Sequence, residues 1–442
     1  MVASFATVNR KKEDLDSSLP FHLFISFMSY HSNHTAVMDH SAAALPLFEY
    51  GERLKHREIR LLRLKEGKGA SPVQFSIDTV HFDRVAEYQA LSYVWGDENQ
   101  TRYVSCNGYS FTITLNLFQA LWQLRESGNS KPLWVDAICI NQKDVAERTA
   151  QVRIMGDIYS SASVTLTWLG PPTDTDGVVT AFIEQLYIAL NSETFGRGGP
   201  YVDLDVAGLG LPHFKSTPWV ALFELLTRPW FSRVWVIQES VLALNTIFCY
   251  GSHMVPKVMF YQAAFTLTFK NVEMEVSLYQ ASRKTFRNSA AWVPGWNATL
   301  DGTEERSKLP FLEALVRSKG FAATNPKDKY FAIVGLASGV RPNFIDYQRS
   351  LREIVIDVAK DALTTGSIFQ LNGSTGPTGL DLLSFVNGRR SLDELECLPS
   401  WAPEFSYNNE GFSGLGYPYP SAEVTDIGKC EFRFSVDDVS LP

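Results

Sequence analysis

From Leu45 onward, apolar positions fall into short runs separated by polar turns and by stretches of helical spacing. Glu58-Ile-Arg-Leu-Leu-Arg-Leu64 alternates in part and predicts a strand, and Gly67 to Pro72 predicts a loop. Tyr88-Gln-Ala-Leu-Ser-Tyr-Val-Trp95 reads as a buried strand closed by Gly96-Asp97. A further short strand or a hairpin follows around Tyr103 to Ile113, with a turn at Asn107-Gly108. Asn116 is placed to cap a helix running through Leu117, Leu121 and Leu124. Leu133-Trp-Val-Asp-Ala-Ile-Cys-Ile140 is a near-continuous apolar run, the pattern of a strand covered on both faces, and Asn141-Gln142 ends it. Asp144-x-x-Glu147 has the form of a capping box, and Val145, Thr149, Val152, Ile158 and Tyr159 recur behind it at helical spacing. Ser163 to Leu169 is a second strand, ended by Gly170-Pro-Pro172. Strand, helix, strand at this spacing is a βαβ unit. The expected fold class is therefore α/β, a parallel sheet flanked by helices on both faces.

A helix is expected over 176–191, and a Gly-rich, low-charge loop over 192–215 is the candidate for an insertion or lid. Helical signal returns at Trp219 to Leu226, breaks at Arg228-Pro229, and resumes over Trp230 to Val241. Thr246 to Tyr250 reads as the last strand. Beyond about residue 255 the pattern turns helical, at Val258–Phe269, Leu309–Ser318, Lys327–Leu336 and Ser350–Leu363. The last is clearest, with Leu351, Ile354, Val355, Val358 and Ala362 on one face. Gly373 to Gly379 reads as a flexible loop, and the chain after Trp401 has little periodicity. No repeat or long linker appears, so the α/β part and the mainly helical C-terminal region are expected to pack together. The organisation read is an N-terminal flexible arm at 1–45, an α/β domain at 46–255, a helical region at 256–405 and an irregular tail at 406–442.

Composition removes several function classes. Hydrophobic residues make up 45% of 442, which supplies large cores and excludes a mainly disordered, collagenous or coiled-coil chain. Forty basic against 48 acidic residues give a net charge of −8 with no concentrated Lys/Arg run. That argues against nucleic acid and against an anionic membrane surface as partners. Phe21 to Met28 is too short for a membrane span and is broken by His22 and Ser26, and no signal peptide is read. Five scattered cysteines predict free thiols in a reducing, cytoplasmic setting. His31-x-x-His34 lacks a third ligand, so no metal is expected.

There is no Gly-x-Gly-x-x-Gly after a strand, no P-loop, no Gly-x-Ser-x-Gly and no His-Glu-x-x-His. Three polar-aromatic segments remain. They are Ala90-Leu-Ser-Tyr-Val-Trp-Gly-Asp97, Leu133 to Gln142 with Glu147, Arg148 and Gln151, and Arg228-Pro-Trp-Phe-Ser-Arg-Val-Trp-Val-Ile-Gln-Glu239. The polar ends of the first two fall outside the carboxyl ends of strands, where open α/β sheets bind ligands.

These three segments resemble the characteristic blocks of the fungal heterokaryon-incompatibility (HET) domain family, in order and at its spacing. Ala323 to Leu336, Asp346-Tyr347 and Leu398-Pro-Ser-Trp-Ala-Pro403 resemble segments that follow that domain, so the likeness covers about 50–405. The resemblance implies a role in non-self recognition and programmed cell death when unlike fungal cells fuse. It also implies remote kinship with TIR domains and hence a TIR-like, flavodoxin-like sheet. Leu91 to Asp97 is similar to the first TIR strand and its loop. Ser232 to Glu239 is similar to the TIR helix whose Glu serves NAD cleavage, with Trp235 and Glu239 on one helix face.

Cleavage of the nicotinamide–ribose bond passes through an oxocarbenium-like state that one carboxylate can stabilise. On that reading Glu239 is the catalytic residue and NAD the substrate. Trp235 or Trp95 stacks on a base, and Ser92, Asp97, Asp136, Asn141 and Arg148 are contacts. No metal or resident cofactor is required. Plainer readings stand beside it. Glu239 pairs with Arg233 or Arg148, and Asp136 with Arg148 or Arg153. Trp134 and Trp235 belong to the core, Asn141 satisfies a turn, and Cys139 is a small buried hydrophobe. The alternative function is a non-enzymatic death adaptor that self-associates or docks on a partner signalling domain.

Overall fold

A computed structural model of the chain describes residues 41–85, 87–192, 204–269 and 308–365. The chain divides into one unit of Met1–Asn408 and a second of Asn409–Pro442, and every described residue lies in the first. The N-terminal arm to residue 40, Cys397, Cys430, Gly373 to Gly379, Leu398 to Pro403 and the tail lie outside the described residues.

Strand β1 (Glu58–Leu64) pairs antiparallel with β2 (Gln74–His81), in register from Glu58↔His81 to Leu64↔Phe75. The sequence pattern had marked no element at β2. Only Phe75 of that strand is fully buried, so its apolar signal is weak. Strand β3 (Gln89–Tyr93) is buried along most of its length. Strands β4 (Thr101–Cys106) and β5 (Tyr109–Thr114) form the expected hairpin. Asn107 and Gly108 hold φ of 52° and 85°, the left-handed pair that a two-residue turn of matching twist requires.

Helix α1 (Leu115–Glu126) is capped by Thr114, whose Oγ1 accepts from the Leu117 N–H at 3.4 Å. Asn116 therefore is not the cap. It sits inside the helix, donates to the Val94 carbonyl and accepts from the Trp168 indole at 3.0 Å. The apolar run at 133–140 is also corrected. Only β6 (Leu133–Trp134) is strand, and α2 (Asp136–Cys139) is a single helical turn. A short apolar run cannot distinguish a buried strand from a buried turn of helix.

Helices α3 (Val145–Arg153) and α4 (Met155–Ser161) follow. Asp144 caps α3 by accepting from the Ala146 and Glu147 N–H groups, each at 3.1 Å. The expected box is only half formed, because the Glu147 carboxylate turns inward to Arg60. After β7 (Val164–Gly170) come α5 (Asp176–Leu190) and α6 (Thr217–Leu226). Residues 193–203 of the expected lid loop lie outside the described residues, but Leu204 and Leu211 beyond them are buried in the core. The helix expected over 230–241 is two pieces. Pro229–Ser232 is a 3-10 turn, Arg233 is extended, and α7 (Trp235–Val241) begins after it. Strand β8 (Thr246–Tyr250) is not the last, since β9 (His253–Pro256) turns back antiparallel on it.

The remaining described elements are α8 (Lys257–Phe269), β10 (Leu309–Pro310), α9 (Phe311–Ser318), α10 (Asp328–Phe331), a 3-10 turn (Val334–Leu336), β11 (Ala337–Ser338) and α11 (Leu351–Thr365). Ser350 opens α11 with a complete capping box. Its Oγ accepts from the Glu353 N–H at 3.3 Å, and the Glu353 carboxylate accepts from the Ser350 N–H at 2.8 Å. No described helix is long and apolar enough to cross a membrane.

The sheet has nine strands in the order β5-β4-β2-β1-β6-β3-β7-β8-β9. The expected parallel sheet is found only in part: β6-β3-β7-β8 pair parallel, as do β2 and β4, while β1 is antiparallel to both of its neighbours and β5 and β9 are antiparallel edges, so the whole is mixed. Short connections at Asn107-Gly108 and Gly251-Ser252 permit only antiparallel partners there, because a parallel return needs a crossover. Alternation along β8 sends Phe248 and Tyr250 into one hydrophobic core and Ile247 and Cys249 toward another. The first core draws residues from Val152 to Ala359, so the helical C-terminal segments and α5 to α8 share it.

Candidate functional site

Register places the site. Ser92 of β3 pairs with Thr167 of β7, which pairs with Phe248 of β8, so all three face the core beneath α7. Helix α7 turns Glu239 into the same space. The Ser92 hydroxyl donates to the Glu239 carboxyl, joining residues 147 apart in the chain. The Trp230 indole N–H in turn donates to Ser92 Oγ at 2.8 Å. All three are enclosed: Ser92 is 1%, Glu239 3% and Trp230 0% exposed.

Burial pushes the Glu239 carboxyl up to about 7, against the opposing pull of the Arg233 charge and the Ser92 hydrogen bond, and nearby Asp136 adds to the rise. A carboxyl poised near neutrality can accept or hold a proton, or carry the charge that faces a developing cation. Neither Arg233 nor Arg148 lies within 4 Å of Glu239, so the pairing considered from sequence does not form.

The carboxyl ends of β3 and β6 supply the next layer. Asp136 opens α2, accepting from the Ala137 N–H at 2.7 Å and from the Trp95 indole at 2.9 Å. Burial raises its pKa, and the Arg233 charge works against the rise. The expected partners Arg148 and Arg153 go elsewhere, to the Tyr347 ring and the Ile345 carbonyl. The buried Tyr93 hydroxyl faces Asp136.

Two predicted contacts are not brought to this cluster. Asp97 is exposed and folds back on its own turn, accepting from the Asn99 N–H at 2.9 Å, which lowers its pKa. Asn141 serves the turn before α3, its N–H donating to Glu147 at 2.7 Å and its Oδ1 accepting from Lys143. Cys139 is buried, with its thiol pushed up to about 12, an unreactive setting. Trp134 is wholly buried against Tyr159. Trp235 is half-buried and packs on both cores.

Other residues arrive that the sequence reading had not assigned. Trp230 has no assigned role in the sequence reading, and Arg233 enters it only as a candidate partner of Glu239. Asp328 and Tyr347 come from far along the chain. The Tyr347 hydroxyl donates to Asp328 at 2.7 Å, and the Trp235 indole also faces that carboxyl. Arg148 stacks over Tyr347 at 4.2 Å. Arg233 donates to the Tyr93 carbonyl, and its backbone bridges Ala322. No short motif signals these long-range contacts. The hint is that Ala323 to Leu336, which holds Asp328, and Asp346-Tyr347 both resemble segments that follow the domain in the family.

The segments that build this cluster also decide its kinship. The profile described as Heterokaryon incompatibility protein (HET) matches residues 88–239, from the residue before β3 to Glu239 in α7. These residues form a HET domain. The chain is also 27% identical over 377 residues to Heterokaryon incompatibility protein 6, OR allele, of Neurospora crassa, a match covering 72% of this chain and 53% of that protein. The chain thus spans about half the length of this curated relative. No solved structure matches it. The HET domain ends at the very carboxyl that its first strand binds, while Asp328 and Tyr347 lie beyond the matched span.

Proposed function

We propose that this HET domain acts in fungal non-self recognition and programmed cell death, and that its enclosed carboxyl hydrolyses NAD. The reading is TIR-like in its chemistry. Water adds to the anomeric carbon of the nicotinamide-bearing ribose, and the carbon–nitrogen bond breaks with its electron pair passing to the pyridine nitrogen. ADP-ribose, nicotinamide and one proton are the products. Glu239 faces the positive charge that develops on the ribose. Ser92 fixes the carboxyl in place, and Trp95 and Trp235 serve as the stacking surfaces for the bases. The observation that carries the reading is the direct Ser92–Glu239 hydrogen bond at the carboxyl end of the parallel strands. The buried thiols of Cys106, Cys139 and Cys249 suit the reducing cytoplasm in which NAD is drawn.

Nicotinamide release by the purified full chain tests it. Wild type is expected to release nicotinamide once activated, and Glu239→Gln to lose at least about a hundredfold in rate. Equal rates in the two proteins reject the reading.

One observation favours the second reading, a death adaptor that self-associates or docks on a partner domain. At 3% exposure Glu239 is closed off, so hydrolysis requires an opening motion, whereas docking does not. Cell killing that survives Glu239→Gln with no NAD loss supports the adaptor.

A further inference from the structure

Among the described residues, four enclosed guanidiniums are matched by carboxylates. Arg60 meets Glu147 at 2.6 Å, Arg125 meets Glu126 at 3.0 Å, Arg228 meets Asp176 at 2.7 Å, and Arg317 meets Glu313. Arg148 and Arg233 differ. Both are half-buried, and among the described residues no carboxylate lies within 4 Å of either. Arg148 is fixed by stacking on Tyr347, and its Nε is buried without a partner. Its two terminal nitrogens make no hydrogen bond either, and they keep contact with solvent. Arg233 spends one nitrogen on the Tyr93 carbonyl and leaves the others unused. Arg148 lies on the Tyr347 ring, whose hydroxyl donates to Asp328 at 2.7 Å, and the charge of Arg233 acts on that same carboxyl and on Glu239.

A guanidinium held flat with its donor edge open is arranged for a bidentate oxyanion. Three carboxyls, Asp136, Glu239 and Asp328, face Arg233 from α2, α7 and α10, each beyond ion-pair distance. Burial raises the pKa of all three, which lowers the negative charge competing with an incoming anion.

We propose that Arg148 and Arg233 form an anion subsite that takes the diphosphate oxygens of a nucleotide ligand bound beside Asp328 and Glu239. This rests on the nucleotide reading above and extends it, because it names the part of the ligand that is held and the side chains that hold it. The diphosphate seats on the open edge of Arg148, the second guanidinium shares its charge, and the ribose lies toward Glu239.

The test is calorimetric titration of the full chain with inorganic pyrophosphate and, separately, with adenosine. Wild type is expected to bind pyrophosphate with an affinity that falls as salt rises. Arg148→Gln is expected to weaken pyrophosphate by at least about tenfold while leaving adenosine unchanged. Where Arg148→Gln fails to fold, Arg148→Lys replaces it, with a loss of about fivefold because its ammonium keeps the charge without the fork. Wild type that does not bind pyrophosphate, or an unchanged constant in the variant that folds, overturns the subsite. Nicotinamide release is scored apart from this. Pyrophosphate binding that depends on Arg148 without any NAD hydrolysis upholds the subsite and removes the hydrolase. Hydrolysis that depends on Glu239 without pyrophosphate binding does the reverse.

Discussion

At the scale of single residues, Glu239 has a consequence for stability that is independent of any catalysis. Its carboxyl is raised from 4.5 to about 7 in the folded chain. The folded state therefore holds a proton that the unfolded state has released, and stability from this group is complete below about 4.5 and lost as pH rises through about 7. Glu239→Gln cannot ionise. Its stability relative to wild type should rise by about 3 kcal/mol between pH 4.5 and 8, measured by urea melts at each pH. A flat difference across that window rules out a raised carboxyl. The buried Arg60–Glu147 pair carries an opposite kind of debt. Glu147 also accepts from the Asn141 N–H at 2.7 Å and the Leu54 N–H at 3.3 Å, and it is held low by Arg60 and these bonds despite burial. Arg60→Ala leaves that carboxylate buried and unmatched, so a loss of about 3–5 kcal/mol is expected in chemical denaturation. Ser92 and Glu239 could be picked from sequence because both lie in segments with a recognisable order. Asp97 and Asn141 look equally polar there, yet each satisfies its own turn, a local bond that residue type alone does not reveal.

At the scale of elements, ends were easier to read than identities. The Asn107-Gly108 turn and the start of α11 follow from residues with strong local preferences. Ser350→Ala removes the cap of α11 and should cost about 1 kcal/mol, read as a lowered urea midpoint with an unchanged slope. A changed slope instead would mean that the variant had altered more than the cap. Strand β2 and the turn α2 escaped the pattern for opposite reasons. The first shows too little apolar signal, and the second too much. In the second case the difference matters to the site, because a strand through 133–140 would alternate its side chains. The helical turn instead aims Asp136 at the Trp95 indole. Helix α7 is shorter than its sequence pattern, and the extended Arg233 before it is what meets Ala322.

At the scale of the whole molecule, the HET domain does not close its own core. Ile237 of α7 shares one cluster with Phe331, Ile333, Leu351 and Ile354, all wholly buried. The Gly335 N–H donates to Gln238, the Tyr347 N–H to Thr149, and Arg153 to the Ile345 carbonyl. A fragment ending at Pro256 would expose that apolar face and lose these bonds. It is expected to give no cooperative thermal transition, whereas the full chain gives one, with near-ultraviolet circular dichroism reporting the lost aromatic packing. A cooperative transition in the fragment would show that the later segments are dispensable to the fold.

Periodicity and turn chemistry were enough to establish an α/β chain, most of its helices and three segments of shared polar-aromatic character, because each rests on interactions between neighbours in sequence. The mixed sheet, the enclosure of Glu239 and the arrival of Asp328 and Tyr347 were decided only by tertiary packing. Strand order depends on pairings between segments far apart in the chain, such as Thr165 with Thr246, and the enclosure of the site on contacts such as the Ser92–Glu239 pair, 147 residues apart, and no local preference encodes which distant partner will fill a space.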